Sequence, residues 1–344
     1  VPKQDEGSRG VIIADPCFQS QWINCAYKDE FDTFNRTTAL LNALSKHDDT
    51  HYWMVLGDNF YDQTGDASET WFSALSMDTK SKIMGSVPGN HDYWVHGDPQ
   101  VYVQEDQLGN GFMQFYGQDV AASFAADSEQ AEGADPFDFT VDPDAQSIDE
   151  DLKNAETLPP LTNFFYYNQI GNTAFIGYSG AYSFKETVPH FEEACAWAAD
   201  VDADVVLLLG HWNGKGGMGC GPEMAVGAAY HEISHLDACK PIADKLRYVE
   251  GHTHCNLVDE TDVGFMVAGQ GMSGCGNFGF PVFDSTNGEF NVYYFPVQQA
   301  ESDDDTTTVP FDNYDAILEC FEANGVSGCY DMATKWATAS LVVA

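Results

Sequence analysis

Short apolar runs that stop abruptly at a polar residue recur along this chain. GVIIAD (10–15) reads as a buried strand ending in Asp15, and HYWMVLGD (51–58) as a second ending in Asp58. IMGSVPGNHD (83–92) is a third, ending in Asn90 and His91, and ADVVLLLGHW (203–212) another, ending in His211. LRYVEGHTHCNLV (246–258) reads as one more strand, carrying His252 and His254. Unbroken apolar runs suit strands covered on both faces. Between the first two, DTFNRTTALLNALSK (32–46) spaces its apolar residues at helical intervals, with Thr33 near its start. Strands alternating with helices predict βαβ units and a central, largely parallel sheet, whose ligand site lies beyond the carboxyl ends of the strands. FFYYNQIGNTAFIGYSG (164–180) predicts a hairpin turning at Gly171 and Asn172, and VGFMVAGQG and NVYYFPV complete the strands. There is no internal repeat.

The pattern breaks in two places. Residues 118–158 are rich in Asp, Glu and Ala with little periodicity, which predicts a long acidic surface insertion. ESDDDTTTVP (301–310) predicts a linker between a main domain of residues 1–300 and a small cysteine-containing segment, 311–344. No run of eighteen apolar residues exists, so no membrane span is expected, and the first ten residues do not form a signal peptide, which a mature secreted chain has already lost.

Composition narrows the partners. Fourteen basic against 54 acidic residues give a net charge of −40, which argues against nucleic acid and anionic lipid surfaces. Nine cysteines without a CxxC pair make a zinc ribbon a poor reading and favour disulfides in an oxidising compartment, secreted or at the cell surface. Cys320 and Cys329 flank a turn-like segment and can close a small loop, and NRT at Asn35 is a glycosylation sequon. Oligomeric state is not legible.

Seven residues of metal-ligating type gather at or just beyond strand ends: Asp15, Asp58, Tyr61, Asn90, His211, His252 and His254. Taken singly, each is a common turn or surface residue. Together they match the need of two metal ions, about 3.5–4 Å apart, for roughly seven protein ligands with one carboxylate shared. Carboxylate and phenolate oxygens suit a trivalent ion; imidazole and amide oxygen suit a divalent one.

In this order, Asp15, GDNFY (57–61), GNHD (89–92), GHW (210–212) and GHTH (251–254) resemble the motifs of the calcineurin-like metallophosphoesterases. Tyr61, last in GDNFY, is similar to the small single-domain, tartrate-resistant purple acid phosphatases; the likeness spans about residues 10–300. The resemblance implies an α/β fold, a four-layer α/β/β/α sandwich. It implies an acid phosphatase that hydrolyses small phosphate monoesters at a dinuclear centre, a metal-bound hydroxide attacking phosphorus in line. Asp15, Tyr61 and His254 would hold Fe3+; Asn90, His211 and His252 a divalent ion (Zn2+, Fe2+ or Mn2+); Asp58 would bridge the two. His91 would lie beside the phosphate with Asn90, orienting it and protonating the leaving group; the alternative is a hydrogen bond to a ligand.

The chain departs from the family at two points. Cys17 stands where purple phosphatases usually have glycine. A disulfide to Cys25, a buried thiol and a metal contact are its three readings. After His211 a proline-aromatic turn is common in the family, but here the chain runs NGKGGMGCG, in which Lys215 is a candidate phosphate contact. Three rival functions remain. HEISH (231–235) matches a zinc-protease helix motif, but Pro241 stands where a third histidine belongs. A phosphodiesterase would use the same centre, and a non-catalytic surface or structural protein would need only the fold.

Overall fold

The structure, a computed structural model, describes residues 1–18, 25–59, 61, 66–93, 164–214, 224–268, 275–301 and 309–341. The acidic insertion 118–158, Lys215 and most of the linker lie outside the described residues.

Strand β1 (Arg9–Ile13) leads through helix α1 (Thr33–Ser45) to β2 (Tyr52–Leu56), and short helices α2 (Asp66–Ala74) and α3 (Met77–Lys80) lead on to β3 (Ile83–Val87). One helical turn, α4 (Asn90–Tyr93), follows β3 directly. The hairpin of β4 (Tyr166–Ile170) and β5 (Thr173–Gly177) turns at Gly171 and Asn172, as its sequence predicts. Helix α5 (Phe184–Asp200), opened by a Ser183–Glu186 capping box, leads to β6 (Val205–Leu209), and α6 (Val226–Ile233) to β7 (Leu246–Glu250). Then come β8 (Asn256–Glu260), β9 (Gly264–Val267), β10 (Asn277–Asp284) and β11 (Glu289–Gln299), and finally β12 (Phe311–Asp312), α7 (Tyr314–Asn324) and β13 (Thr334–Ser340). The stretch 246–258 is therefore not one strand. It breaks at Gly251 into β7 and β8, and the break carries His252 and His254.

Two mixed sheets result. The first runs β12-β11-β10-β1-β2-β3 with β13 also on β11; β1, β2 and β3 are parallel and β10 antiparallel to β1. The second runs β4-β5-β6-β7-β9-β8, with β5, β6, β7 and β9 parallel between antiparallel edges.

Alternation along each strand assigns its faces. Ile12, Met54 and Leu56 meet Phe175, Leu207 and Val249 of the other sheet in the central core. Val11, Trp53 and Val55 point the other way, onto Leu40 and Leu44 of α1, Trp71 of α2 and Phe321 of α7. Ile176 and Leu208 pack on Phe191 and Ala194 of α5 and Ile233 of α6. These contacts define four layers, helix–sheet–sheet–helix. Registers of Ile13 with Val55, Leu56 with Val87 and Leu209 with Val249 bring the carboxyl ends of the parallel strands level.

The segment after the linker builds onto the first sheet. β12 and β13 both pair with β11, and Ile317 and Phe321 of α7 are buried in the core against α1. At the amino end of β1, Arg9 donates to Asp284 (Nε–Oδ2 2.9 Å) and to the Asp49 carbonyl (3.0 Å). Tyr330, just before β13, also hydrogen-bonds Asp284 and stacks on Tyr293, so this buried ion pair ties the segment to β1 and β10.

Four disulfides join Cys17–Cys25, Cys195–Cys239, Cys255–Cys275 and Cys320–Cys329. The ninth cysteine, Cys220, lies outside the described residues. Among the described residues no helix is long and apolar enough to cross a membrane.

Candidate metal centre

Asp15, Asp58, His211 and His252 each lie two residues beyond a strand end, after Ile13, Leu56, Leu209 and Glu250. Because those strands are parallel and level within their sheets, one offset repeated four times brings side chains from both sheets together. Asn90 follows β3 by three residues.

The loops that carry these groups are strained. Among the described residues, eight non-glycine positions have positive φ, and five are Asp15, Asp58, Tyr61, His252 and His254. Such backbone persists only where its surroundings enforce it, and it gathers at functional sites. Close packing enforces it here. A Cβ at Gly57, itself at φ 82°, would fall 2.5 Å from His211 Nδ1, and one at Gly89 would fall 2.3 Å from Asp58 Oδ1.

The seven sequence candidates converge. Tyr61 donates its hydroxyl to Asp15 Oδ1 at 3.0 Å, and His254 Nε2 lies 3.3 Å from that hydroxyl and 3.4 Å from Asp15 Oδ1. On the other side, His211 Nε2 lies 3.2 Å from Asn90 Oδ1 and 3.2 Å from His252 Nδ1. Asp58 Oδ1 sits 3.4 Å from His211 Nε2. Asp58, His211 and His252 each offer a ligand atom, all within 4.8 Å of one another. Asp15 and His211 are fully buried.

The donor chemistry fits metal ions. Carboxylate, amide and imidazole lone pairs crowd a volume that holds few protons to share, so a cation is the natural complement. Burial pushes the Tyr61 phenol well above its ordinary range, and the charges of Asp15 and Asp58 push it further. Ionising it as a ligand therefore requires strong local positive charge. Burial would raise the Asp58 carboxyl, but the charges of His211 and His91 overcome that and hold it far below the usual carboxylate range. Burial acts to lower His211, yet Asp58 and Asp15 push it up to about 10. His252, buried beside His211, is lowered to about 4.

His91 sits at the margin. Its backbone N–H donates to Asp58 Oδ1 at 2.9 Å, its ring lies over Tyr61 with centroids 5.0 Å apart, and its Nε2 is 3.9 Å from Asp58 Oδ2. The side chain is 21% exposed, more than those of Asp15, Asp58 and His211.

Two residues inside the quoted motifs escaped assignment from sequence. Asp92 accepts from the Gly89 N–H (2.6 Å), the Asn59 N–H (3.0 Å) and Asn59 Nδ2 (2.9 Å), locking the Asp58 loop to the Asn90 loop. Burial and the nearby Asp58 charge raise its carboxyl to about 7. Their adjacency to Asp58 and Asn90 in GDN and GNHD was the available signal. Cys17 is settled: it pairs with Cys25, and both pack against Tyr61. The Cys255–Cys275 bridge begins one residue after His254, so two disulfides brace loops of the centre. HEISH makes no centre, because His231 faces Glu260 (3.4 Å), and α6 ends at Ile233, before His235.

Comparison with known proteins identifies the family and the fold. The calcineurin-like phosphoesterase family model matches residues 9–256, and the chain belongs to that family. The family's fold implies a divalent-metal site and a phosphoester hydrolase. Among solved structures, a purple acid phosphatase from yellow lupin (Lupinus luteus) seeds aligns with TM-score 0.53 at 13% identity, over 86% of this chain and 52% of that one. That likeness concerns the fold alone, and this chain spans about half of the lupin protein's length. Vacuolar Protein Sorting 29 from Cryptosporidium parvum aligns at 12% identity over 89% of this chain and 98% of that one, with a TM-score of 0.31, too low to bear on the fold. A comparison with curated proteins gave no match.

Proposed function

We propose that this chain is a phosphoric monoester hydrolase of the purple acid phosphatase type, acting on small phosphorylated substrates. The observation that carries the reading is the convergence of seven acceptor-type side chains from both sheets, with a tyrosine hydroxyl held among carboxylates. Asp15, Tyr61 and His254 would hold a ferric ion; Asn90, His211 and His252 would hold a divalent ion, zinc, iron or manganese; Asp58 would serve both. When bound, such ions supply Lewis acidity toward phosphoryl oxygen and toward water.

The chain's own groups do the rest. The level strand ends fix the ligands before substrate arrives, so little reorganisation accompanies reaction. His91, tied by its backbone to Asp58 and by its ring to Tyr61, would orient a phosphate oxygen and hold a proton at Nε2 for the departing alkoxide. Asp92 and Asn59 keep the two loops in register beneath it. The disulfides, together with the exposed sequon residue Asn35 on α1, favour secretion and glycosylation.

The test is the visible spectrum of the purified, unreduced protein, followed by aryl phosphate hydrolysis. A broad green-to-yellow band that Tyr61→Phe abolishes supports tyrosinate bound to ferric iron. Aryl phosphate monoester turnover should exceed diester turnover; comparable diester turnover would overturn the monoester assignment. Absence of both metal and hydrolysis would favour the non-catalytic alternative.

A further inference from the structure

Two residues after His211, where the family often turns with proline, this chain carries Asn213, 2% exposed. Its Nδ2 donates to the Gly251 carbonyl at 2.5 Å and to Thr253 Oγ1 at 3.1 Å. The Gly251 carbonyl and the His252 N–H belong to one peptide plane. That N–H donates to Asp15 Oδ2 at 2.9 Å. Asn213 therefore grips one side of a peptide whose other side grips Asp15. The backbone beyond it is strained, with His252 at φ 74°, so this peptide's orientation has to be enforced. Reciprocally, the His211 carbonyl accepts from the Gly251 N–H at 2.8 Å.

We infer that Asn213 is a positioning residue of the metal centre: through the 251–252 peptide plane it fixes Asp15 while tying the His211 loop to the His252–His254 loop. It couples the two halves of the site. An amide donor pulling on the carbonyl also polarises the N–H across the same plane, which strengthens the bond to Asp15. Both Nδ2 protons are used, so an isosteric residue without donors cannot substitute.

The inference rests on reading the site as a metal centre, and the test separates the two. Zn2+ is titrated into the metal-stripped native chain, Asn213→Asp and Thr253→Val, and the melting temperature of each stripped protein is recorded. Asn213→Asp keeps the volume but faces the Gly251 carbonyl with an acceptor; Thr253→Val removes the lesser bond together with the Thr253 hydroxyl's bond to Met266 Sδ. The expected result is Zn2+ affinity reduced at least ~10-fold in Asn213→Asp and less than threefold in Thr253→Val, beyond what any fall in the melting temperature of the stripped protein accounts for. Native-like Zn2+ affinity in Asn213→Asp overturns the inference. So does a fall in its stripped melting temperature large enough to account for the weaker binding, which would assign a packing role. A native chain that takes up no Zn2+ overturns the metal-centre reading itself, and this inference with it.

Discussion

His211 Nδ1 lies 2.8 Å from the carbonyl oxygen of Leu56, the last residue of β2. That oxygen only accepts, so Nδ1 keeps its proton and Nε2 turns its lone pair toward Asn90, His252 and Asp58 when the ring is neutral. The tautomer is thus set by the neighbouring sheet. His211→Ala removes both the ligand and this link. It should lower kcat/KM at least ~100-fold and reduce the metal bound per chain, measured by elemental analysis of purified protein. Unchanged metal content would remove His211 from the centre.

His91→Ala should act differently. The residue touches Asp58 through its backbone, which alanine preserves. Metal content should therefore stay native while kcat falls by ~100-fold or more, the usual contribution of a general acid. The loss should shrink for substrates with good leaving groups, which need no proton. An equal loss for good and poor leaving groups would assign His91 to phosphate orientation alone.

The Arg9–Asp284 pair predicts how the fold responds to acid. Burial would raise the Asp284 carboxyl, but Arg9 foremost, then Thr286 and Tyr330, hold it below the ordinary range. A carboxyl depressed in the folded state adds stability that is fully present above its unfolded pKa of about 4 and is lost as pH falls through the lower folded value. Urea unfolding should show stability declining below about pH 4, with Asp284→Asn flattening that decline. At neutral pH the substitution removes the charged Nε–Oδ2 bond but leaves Arg9 the Asp49 carboxylate at 3.7 Å, and should cost about 2 kcal/mol.

Charge sets a kinetic prediction. With a net charge of −40, the chain repels anionic substrates at low salt. Raising ionic strength from about 10 mM to about 100 mM shortens the screening length from about 30 Å to about 10 Å. The kcat/KM for an aryl phosphate should rise over that range before other salt effects intervene. A monotonic fall would show that local positive charge at the site outweighs the field of the whole chain.

The strands bearing Asp15, Asp58, Asn90 and His211 were legible because each is an apolar run, mostly buried on both faces, that stops at a polar residue. The β4–β5 hairpin was legible from its turn. What escaped depends on distance along the chain or on geometry too fine for pattern. β7 and β8 merged into one run, because nothing in composition marks Gly251 as a break. β13, TKWATAS, is a largely exposed edge with no strong alternation, so its place on β11 is invisible locally. Cys195 and Cys239 pair across 44 positions. Asn213, Asn59 and Asp92 act by holding backbone, a role their residue types do not announce.

The pairing of β1 with β10 bears on where this gene can be cut. β1 leads to Asp15 and lies inside the sheet, yet one of its two neighbours is formed by residues 277–284, beyond the stretch 9–256 that the family model covers. A fragment trimmed to that stretch would leave β1 with a bare row of hydrogen-bonding groups along that side, an open template for intermolecular strand pairing. On a ribosome the same geometry imposes a wait: the first sheet cannot close around the centre until the chain is synthesised well past residue 284. Folding therefore has to handle a long, acidic, half-assembled chain before the last strands arrive.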